Sequence, residues 1–443
     1  MADSLARHPP RRLGEILVDQ GAIDRARLEE VLAAQRRTSL RLGELLVARS
    51  MVTRGQVSEA LAAQWSLGHV DLRAAPPDPA LLEGCDPAAC LAAQCIPWRR
   101  VGGNILVALA DPDRKEAALA ATGLPSDGIA FAMADKAEIR EAIAQAFREK
   151  LRDRALIRTP APHSCRDWGR FSAPLGIGLA GFLGAFLVAA GPFALATLML
   201  GWAILANCAT TLLRLAALAI SCLPGAAPPP EDLPRLARFR RLPVVSILVP
   251  LYRETAVIDP LLAALARLDY PRELLDIILV LEEDDAPMLD ALAVRTLPPS
   301  VRTLAVPADR LRTKPRAMNY ALDFADGEII GVYDAEDRPA PDQVTRIVEM
   351  FAESPPKVAC VQARLGFYNA GQNWLARCFA IEYATWFEIL LRGYDRLGLP
   401  IPLGGTSVFF RRAALEAVGV WDAYNVTEDA DLGMRLARFG YVT

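Results

Sequence analysis

Between residues 12 and 64 apolar positions recur at helical spacing: Leu13, Ile16 and Leu17, then Leu28, Val31 and Leu32. That period predicts short amphipathic helices. The stretch is an internal repeat. Residues 12–35 read RLGEILVDQGAIDRARLEEVLAAQ and residues 41–64 read RLGELLVARSMVTRGQVSEALAAQ, an offset of 29 residues with half the positions identical. Each copy predicts a short helix, a turn at Gly21 and a second helix capped by Asp24; in the second copy Ser50 stands at the turn position. Residues 65–150 read as a small α/β unit, with a strand over 104–110 stopped by Asp111-Pro112 and an amphipathic helix over 136–149. Residues 151–170 are rich in Arg and Pro and read as a basic linker.

The pattern then turns uniformly apolar. Residues 171–213 contain no charged side chain. The run is too long for one membrane span and suits two of about 20 residues each, punctuated by Gly191-Pro192. Arg166 and Arg170 precede it, and Arg214, Arg235, Arg238, Arg240 and Arg241 follow it. Positive flanks stay on the cytosolic side, so both soluble parts are expected there. Two transmembrane helices are therefore assigned to 171–223 and a Pro/Arg-rich linker to 224–241. From residue 242 strands and helices alternate. Strands are predicted over 244–250, 276–281 and 328–333, with helices over 260–268 and 316–324. This is the signature of an α/β fold with a mostly parallel sheet, whose ligands bind at the C-terminal strand ends.

Composition narrows the chemistry. The net charge is −3, which implies no nucleic-acid polymer as a partner. The eight cysteines form no CxxC pair, so neither a zinc site nor a disulfide framework is expected. The histidines are His8, His69 and His163, which excludes a histidine-based triad after the apolar run. A GxxxxGK[ST] loop is absent, which argues against an ATPase. The N-terminus is polar and does not read as a signal peptide.

Acidic residues gather at the predicted strand ends: Glu254, then 282–285, then 334–337. Carboxylates so placed suit a hard cation, Mg²⁺ or Mn²⁺, that bridges to a diphosphate. These residues carry a resemblance. Residues 242–443 resemble the family-two inverting glycosyltransferases that include cellulose and hyaluronan synthases. The resemblance implies a nucleotide-diphospho-sugar transferase (GT-A-like) fold. It implies donor and substrate contacts from Pro250, Tyr252, Glu254, Glu282 (or Glu283), Lys314, Asp334, Gly405 and Thr406, with Arg316 balancing phosphate charge. Asp334 and Glu336 take the place of the metal-binding DxD pair, and Thr427-Glu428-Asp429 matches the TED motif that carries the catalytic base, Asp429 with Glu428 beside it. A helix is expected over 430–439. The Q-x-x-R-W motif of such synthases does not follow, which suggests a C-terminally truncated domain. Trp374, Phe379, Tyr383, Trp386 and Phe387 form an aromatic stripe expected at a membrane interface or beneath the acceptor.

The N-terminal repeat resembles the MshEN domain of type II secretion and pilus ATPases, which binds cyclic di-GMP through paired 24-residue motifs. The resemblance covers 1–150 and implies ligand contacts from Arg12, Leu13, Gly14, Gln35, Arg41, Leu42, Gly43 and Gln64. Arginines suit phosphate and guanine, and the glycines are expected to let backbone amides approach the anion. Together these readings imply a polysaccharide-forming transferase of the bacterial inner membrane, with cytosolic soluble domains, under cyclic di-GMP control. Its expected partners are a nucleotide-sugar donor, UDP-linked by preference, a polysaccharide or oligosaccharide acceptor, and membrane lipid. The alternative is an inactive transferase-like membrane scaffold that binds the same effector.

Overall fold

The computed structural model describes residues 11–36, 38, 40–124, 128–223, 239 and 241–443, so most of the linker expected at 224–241 lies outside the described residues. The chain divides into two compact units. One comprises residues 1–156, 234–331 and 338–349, the other 157–233, 332–337 and 350–443.

The repeat in the first unit forms α1 (Leu13–Asp19), α2 (Arg25–Gln35), α3 (Leu42–Ala48) and α4 (Arg54–Trp65). Asp24 accepts the Arg27 N–H at 2.8 Å to cap α2, and Thr53 accepts the Gln56 N–H at 3.2 Å to cap α4. Such caps satisfy amides that the helix leaves unpaired. Ile16, Leu17, Ile23, Leu28 and Val31 share one core with their repeat partners Leu45, Leu46, Val52, Val57 and Ala60. The turns are equally matched: the Ala22 N–H reaches Leu17 O at 2.9 Å and the Met51 N–H reaches Leu46 O at 3.0 Å. Gly21 and Ser50 both adopt left-handed backbone, φ +69° and +54°. Ser50 therefore keeps the turn of the first copy but carries strain of about 1–2 kcal/mol.

The small α/β part follows, with β1 (Gly68–His69), α5 (Pro87–Ala93), β2 (Cys95–Val101), β3 (Asn104–Leu109), α6 (Lys115–Thr122), β4 (Ile129–Met133), α7 (Lys136–Ala146) and α8 (Arg148–Ile157). Its strands lie in the order β1-β4-β3-β2. β3 runs parallel to β4 and antiparallel to β2. The stretch read as a basic linker is ordered: α8 occupies its first part. In the second unit the Thr159 hydroxyl donates to Gly419 O at 2.8 Å, and the Cys165 N–H donates to the fully buried Asp422 carboxylate at 2.6 Å.

The apolar run forms α9 (Trp168–Ser221), two helical stretches joined at Gly191, the punctuation point read from the sequence, where φ 82° and ψ 165° suit glycine alone. Within Ala173–Ser221 the most apolar 18-residue stretch has a mean hydropathy of 2.0, and none of it is buried.

The remaining part of the first unit contains β5 (Val245–Leu251), α10 (Ile258–Leu265), β6 (Leu275–Glu282), α11 (Ala286–Ala293), β7 (Val301–Val306) and α12 (Lys314–Phe324), then β8 (Ile329–Val332) and α13 (Gln343–Glu353) at its boundary. The strands take the order β7-β6-β5-β8, with β5–β6 and β6–β7 parallel. Their burial on both faces explains the unbroken apolar runs. The second unit carries β9 (Cys360–Gln362), α14 (Trp374–Ala384), a π-helical turn (Thr385–Leu390), α15 (Leu391–Arg396), β10 (Val408–Arg411), α16 (Arg412–Ala417) and α17 (Glu428–Arg438). β9 and β10 pair antiparallel, so the sheet architecture is mixed.

Within the first unit the repeat-bearing module is bonded to the strand–helix part. Arg49 pairs with Glu273 at 2.9 Å, Lys136 with Asp326 at 3.1 Å, and Arg148 with Glu283. The buried Asn319 amide donates to Ala155 O at 3.0 Å. Burial works to raise the Asp326 pKa, but Arg140 and Lys136 outweigh it and hold the carboxyl well below its ordinary range.

Candidate functional site: a strand-end donor loop and a clamped acidic turn

β5 delivers Pro250 and then Tyr252, Arg253 and Glu254, the last three exposed. Arg253 adopts φ +57°, and its N–H donates to Asp285 Oδ2 at 2.6 Å. Asp285 also caps α11, accepting the Met288 N–H at 3.4 Å, so one buried carboxylate fixes a strained loop and a helix start. The Arg253 guanidinium lies 5.0 Å from the Tyr252 ring centroid. Arg312 pairs with Asp284, and a hydrogen bond to Tyr252 is the leading cause of its raised pKa.

Two sequence expectations change here. Glu282 was expected to touch the donor, and Arg316 to balance phosphate. Instead they form a buried pair: Arg316 Nη2 donates to Glu282 Oε2 at 2.5 Å, and Nη1 donates to Pro307 O at 2.8 Å. Burial raises the Glu282 pKa even against Arg316. The alternative, Glu283, accepts the Ala308 N–H at 2.8 Å and pairs with Arg148. Both carboxylates organise the fold around the strand end. Lys314 remains half-buried at the first position of α12.

In the second unit, Asp334 is half-buried and Glu336 exposed on the turn after β8. The Asp334 N–H donates to Asp337 Oδ2 at 3.0 Å and to Thr406 Oγ1 at 2.9 Å, and the Thr406 hydroxyl donates to Asp337. Burial raises the Asp337 pKa, and its bonds to Thr406 and Asp334 oppose that. From the other side, Gln362 Oε1 accepts the Gly404 N–H at 2.9 Å while its amide donates to Thr406 O at 3.1 Å. The loop over 404–406 is thus held between Asp337 and Gln362. Asp337 was legible only as part of an acidic run, and nothing in the sequence marked Gln362.

Glu428 and Asp429 are both more than nine-tenths buried at the start of α17. That helix is pressed onto the chain leading into the same loop. A Cβ on Gly433 would lie 2.2 Å from Ile401 O, so only glycine permits the approach. Arg435, also buried, donates to Val418 O at 2.9 Å and pairs with Asp431 at 2.8 Å, which locks the helix from its far end. Among the described residues no three His, Cys, Asp or Glu side chains converge as a self-sufficient metal site. Asp334 and Glu336 place two carboxylates on one turn, oxygen donors of the kind a hard cation takes.

At the repeat, the glycines lie where two helices meet. A Cβ on Gly14 would lie 2.9 Å from the Leu28 side chain, and one on Gly43 would lie 2.6 Å from Val57. Both glycines are buried and allow close helix packing. Leu13 and Leu42 are half-buried. The glutamines close the two motifs on each other's starts: Gln35 donates to Leu40 O at 3.3 Å and Gln64 to Arg11 O at 2.9 Å. Arg12 is exposed. Arg41 pairs with Asp111 at 2.5 Å and Asp113 at 2.8 Å.

Known proteins match both parts. The model of the family described as glycosyltransferase like family 2 matches residues 243–443, and that of the MshEN domain matches residues 65–153. The chain therefore carries one stretch similar to the MshEN domain and, after the apolar run, one similar to glycosyltransferase like family 2. A beta-monoglucosyldiacylglycerol synthase of Trichormus variabilis is 32% identical over 199 residues, covering 44% of this chain and 41% of that protein. The chain thus spans about two fifths of that relative's length. The structure of MshE with cdg is 29% identical and covers 31% of this chain and 99% of that one, with a TM-score of 0.28. The mannosyltransferase PcManGT from Pyrobaculum calidifontis, in complex with GDP-Man and Mn2+, is 22% identical and covers 52% of this chain and 60% of that one, with a TM-score of 0.41.

Proposed function

We propose that this protein is a membrane-bound inverting glycosyltransferase that moves a sugar from a nucleotide-sugar donor, UDP-linked by preference, onto a growing polysaccharide, under cyclic di-GMP control. The observation that carries the reading is the clamped turn of the second unit. Asp337 and Gln362 hold the Gly405-Thr406 loop, and α17 is packed onto the segment that leads into it. Asp429 is the general base: its carboxylate takes the proton of the acceptor hydroxyl as that oxygen attacks the anomeric carbon. Displacement from the side opposite the leaving group inverts that centre. Lys314 and the strand-end residues Pro250, Tyr252 and Glu254 hold the donor, and Glu428 shapes the start of α17. Asp334 and Glu336 would hold Mg²⁺ or Mn²⁺, which when bound neutralises charge on the leaving diphosphate.

Two features support the setting. A 54-residue helical element at 1.5 Å per residue is far longer than one bilayer span, and its break at Gly191 divides it into two span-length arms. The flanking arginines support a setting at a bacterial inner membrane with both soluble parts cytosolic. For control, the exposed Arg12 and Arg41 suit a cyclic dinucleotide phosphate, and the ion pairs from Arg49, Lys136 and Arg148 give the module a mechanical grip on the strand–helix part. The test is nucleotide release by the purified chain from labelled UDP- and GDP-sugars, with Mg²⁺ or Mn²⁺. Metal-dependent release that Asp334→Ala removes is expected. No release from any donor, with the chain folded, would leave the scaffold reading.

A further inference from the structure

A cavity of about 430 Å³ opens in the second unit beside the end of the apolar helix. Its wall joins three kinds of surface. Arg214 comes from the last turns of α9, the first charge after the apolar run. Glu382, Tyr383, Trp386 and Phe387 come from α14 and its π-helical continuation. Gly404 and Gly405 come from the clamped loop. The helices that shape it are tightly joined: a Cβ on Gly393 of α15 would lie 2.4 Å from Ala217 O of α9. The Arg396 guanidinium donates to Ile220 O at 2.7 Å and Leu223 O at 2.8 Å, capping the end of α9. α14 continues away from the cavity with Trp374, Phe379 and Ile381 exposed by 74%, 45% and 62%. A helix that buries none of its residues while exposing aromatic and aliphatic side chains suits a membrane surface. The aromatic stripe read from the sequence thus divides: Trp374 and Phe379 face outward, while Tyr383, Trp386 and Phe387 line the cavity.

We propose that this cavity is the acceptor site and that the acceptor is lipid-borne: its apolar chains stay in the bilayer beside α9, and its headgroup enters between Arg214 and Glu382 to present a hydroxyl at Gly405. The proposal rests on the transferase reading above and on α9 being in the membrane, and it deepens the acceptor class: the polysaccharide grows on a lipid anchor rather than free in solution. Tyr383, Trp386 and Phe387 supply faces for a sugar ring or glycerol backbone. Arg214 suits a headgroup oxygen, anionic or hydroxylic, and Glu382 accepts from a second hydroxyl. In the step itself the headgroup O–H bond breaks and its proton passes to Asp429. The oxygen forms the new bond to the anomeric carbon. The bond from that carbon to the diphosphate oxygen breaks, and the nucleoside diphosphate leaves with the electron pair.

The experiment uses the full chain in vesicles of bacterial polar-lipid extract. UDP-glucose, UDP-N-acetylglucosamine and GDP-mannose are supplied with label in the sugar. Nucleotide release and the chloroform-soluble label are followed together. The expected result is release accompanied by label in the lipid phase. Arg214→Ala and Glu382→Gln should each raise the half-saturating lipid fraction about tenfold. Val188→Ala, on the exposed face of α9, should match the unaltered chain. If Arg214→Ala fails to fold, Glu382→Gln tests the same wall from another helix. Nucleotide release with all label remaining water-soluble would overturn the lipid-borne acceptor and leave the transferase standing. So would equal stimulation of the unaltered chain and both variants by an added soluble oligosaccharide. Absence of release from all three donors would strike the transferase reading itself, and the acceptor proposal with it.

Discussion

At the residue scale, the divide between chemistry and support runs through neighbouring carboxylates. Glu282 and Arg316 are 8% and 1% exposed and bonded at 2.5 Å. Removing one partner leaves a buried polar or charged group unmatched, at a cost of about 3–5 kcal/mol. Arg316→Ala is therefore expected to lower unfolding stability by that order in urea, with Arg316→Lys losing less. A change under about 1 kcal/mol would return Arg316 to a phosphate-binding role. Asp429 has the opposite assignment. Asp429→Asn should abolish transfer and leave donor affinity, measured by nucleotide titration, within about twofold, because the base acts on the acceptor. Comparable losses of turnover and donor affinity would remove it from that role.

At the element scale, the repeat builds two copies of one turn from different residues. Ser50 reaches φ +54° where Gly21 has φ +69°. Ser50→Gly relieves left-handed strain of about 1–2 kcal/mol and adds unfolded-chain entropy of about 0.5–1 kcal/mol. A net gain of up to about 1 kcal/mol is expected in thermal unfolding, and a destabilised variant would mean the serine side chain contributes more than its backbone costs. The docking of α7 onto Asp326 has a pH signature. A depressed folded pKa gives stability that is present above the unfolded value, about 4, and lost as pH falls through the folded value. The contact should therefore persist unchanged from pH 8 to pH 5 and weaken only in strong acid. Amide exchange around Lys136 and Asp326 reads this directly. Loosening between pH 7 and 5 would contradict the assignment.

At the scale of the whole molecule, the effector and the transferase communicate only if the ligand binds two states unequally. A coupling of about 1–3 kcal/mol would change activity from several-fold to about a hundredfold. Cyclic di-GMP is expected to bind the full chain, measured by calorimetry, and to change nucleotide release. Replacing Arg12 and Arg41 together by alanine should abolish the heat of binding while leaving the chain folded. Arg41 and Asp113 are 53% and 56% exposed, where such a pair adds little to stability, and the buried Asp111 keeps its pair with Arg114 at 3.3 Å. Binding without any change in release would keep the site and discard the switch.

Local pattern determined much of this protein. The repeat, its Asp24 cap, the buried strands, the apolar run and the break at Gly191 were legible because each is set by neighbours within a few residues: period, capping oxygen, positive φ. The short strands Cys360–Gln362 and Val408–Arg411 were not, because a strand of three or four residues carries no period of its own and exists through its partner. The packing role of the repeat's glycines was not legible either, since what a missing Cβ makes room for depends on the facing helix. Glu282 looked like a donor contact and is tied to a guanidinium 34 residues away. Gln362, which holds the Gly404–Thr406 loop, had no signal at all. Sequence spacing sets which groups a strand end offers; only the packed chain decides which of them are left to face a substrate and which are spent on one another.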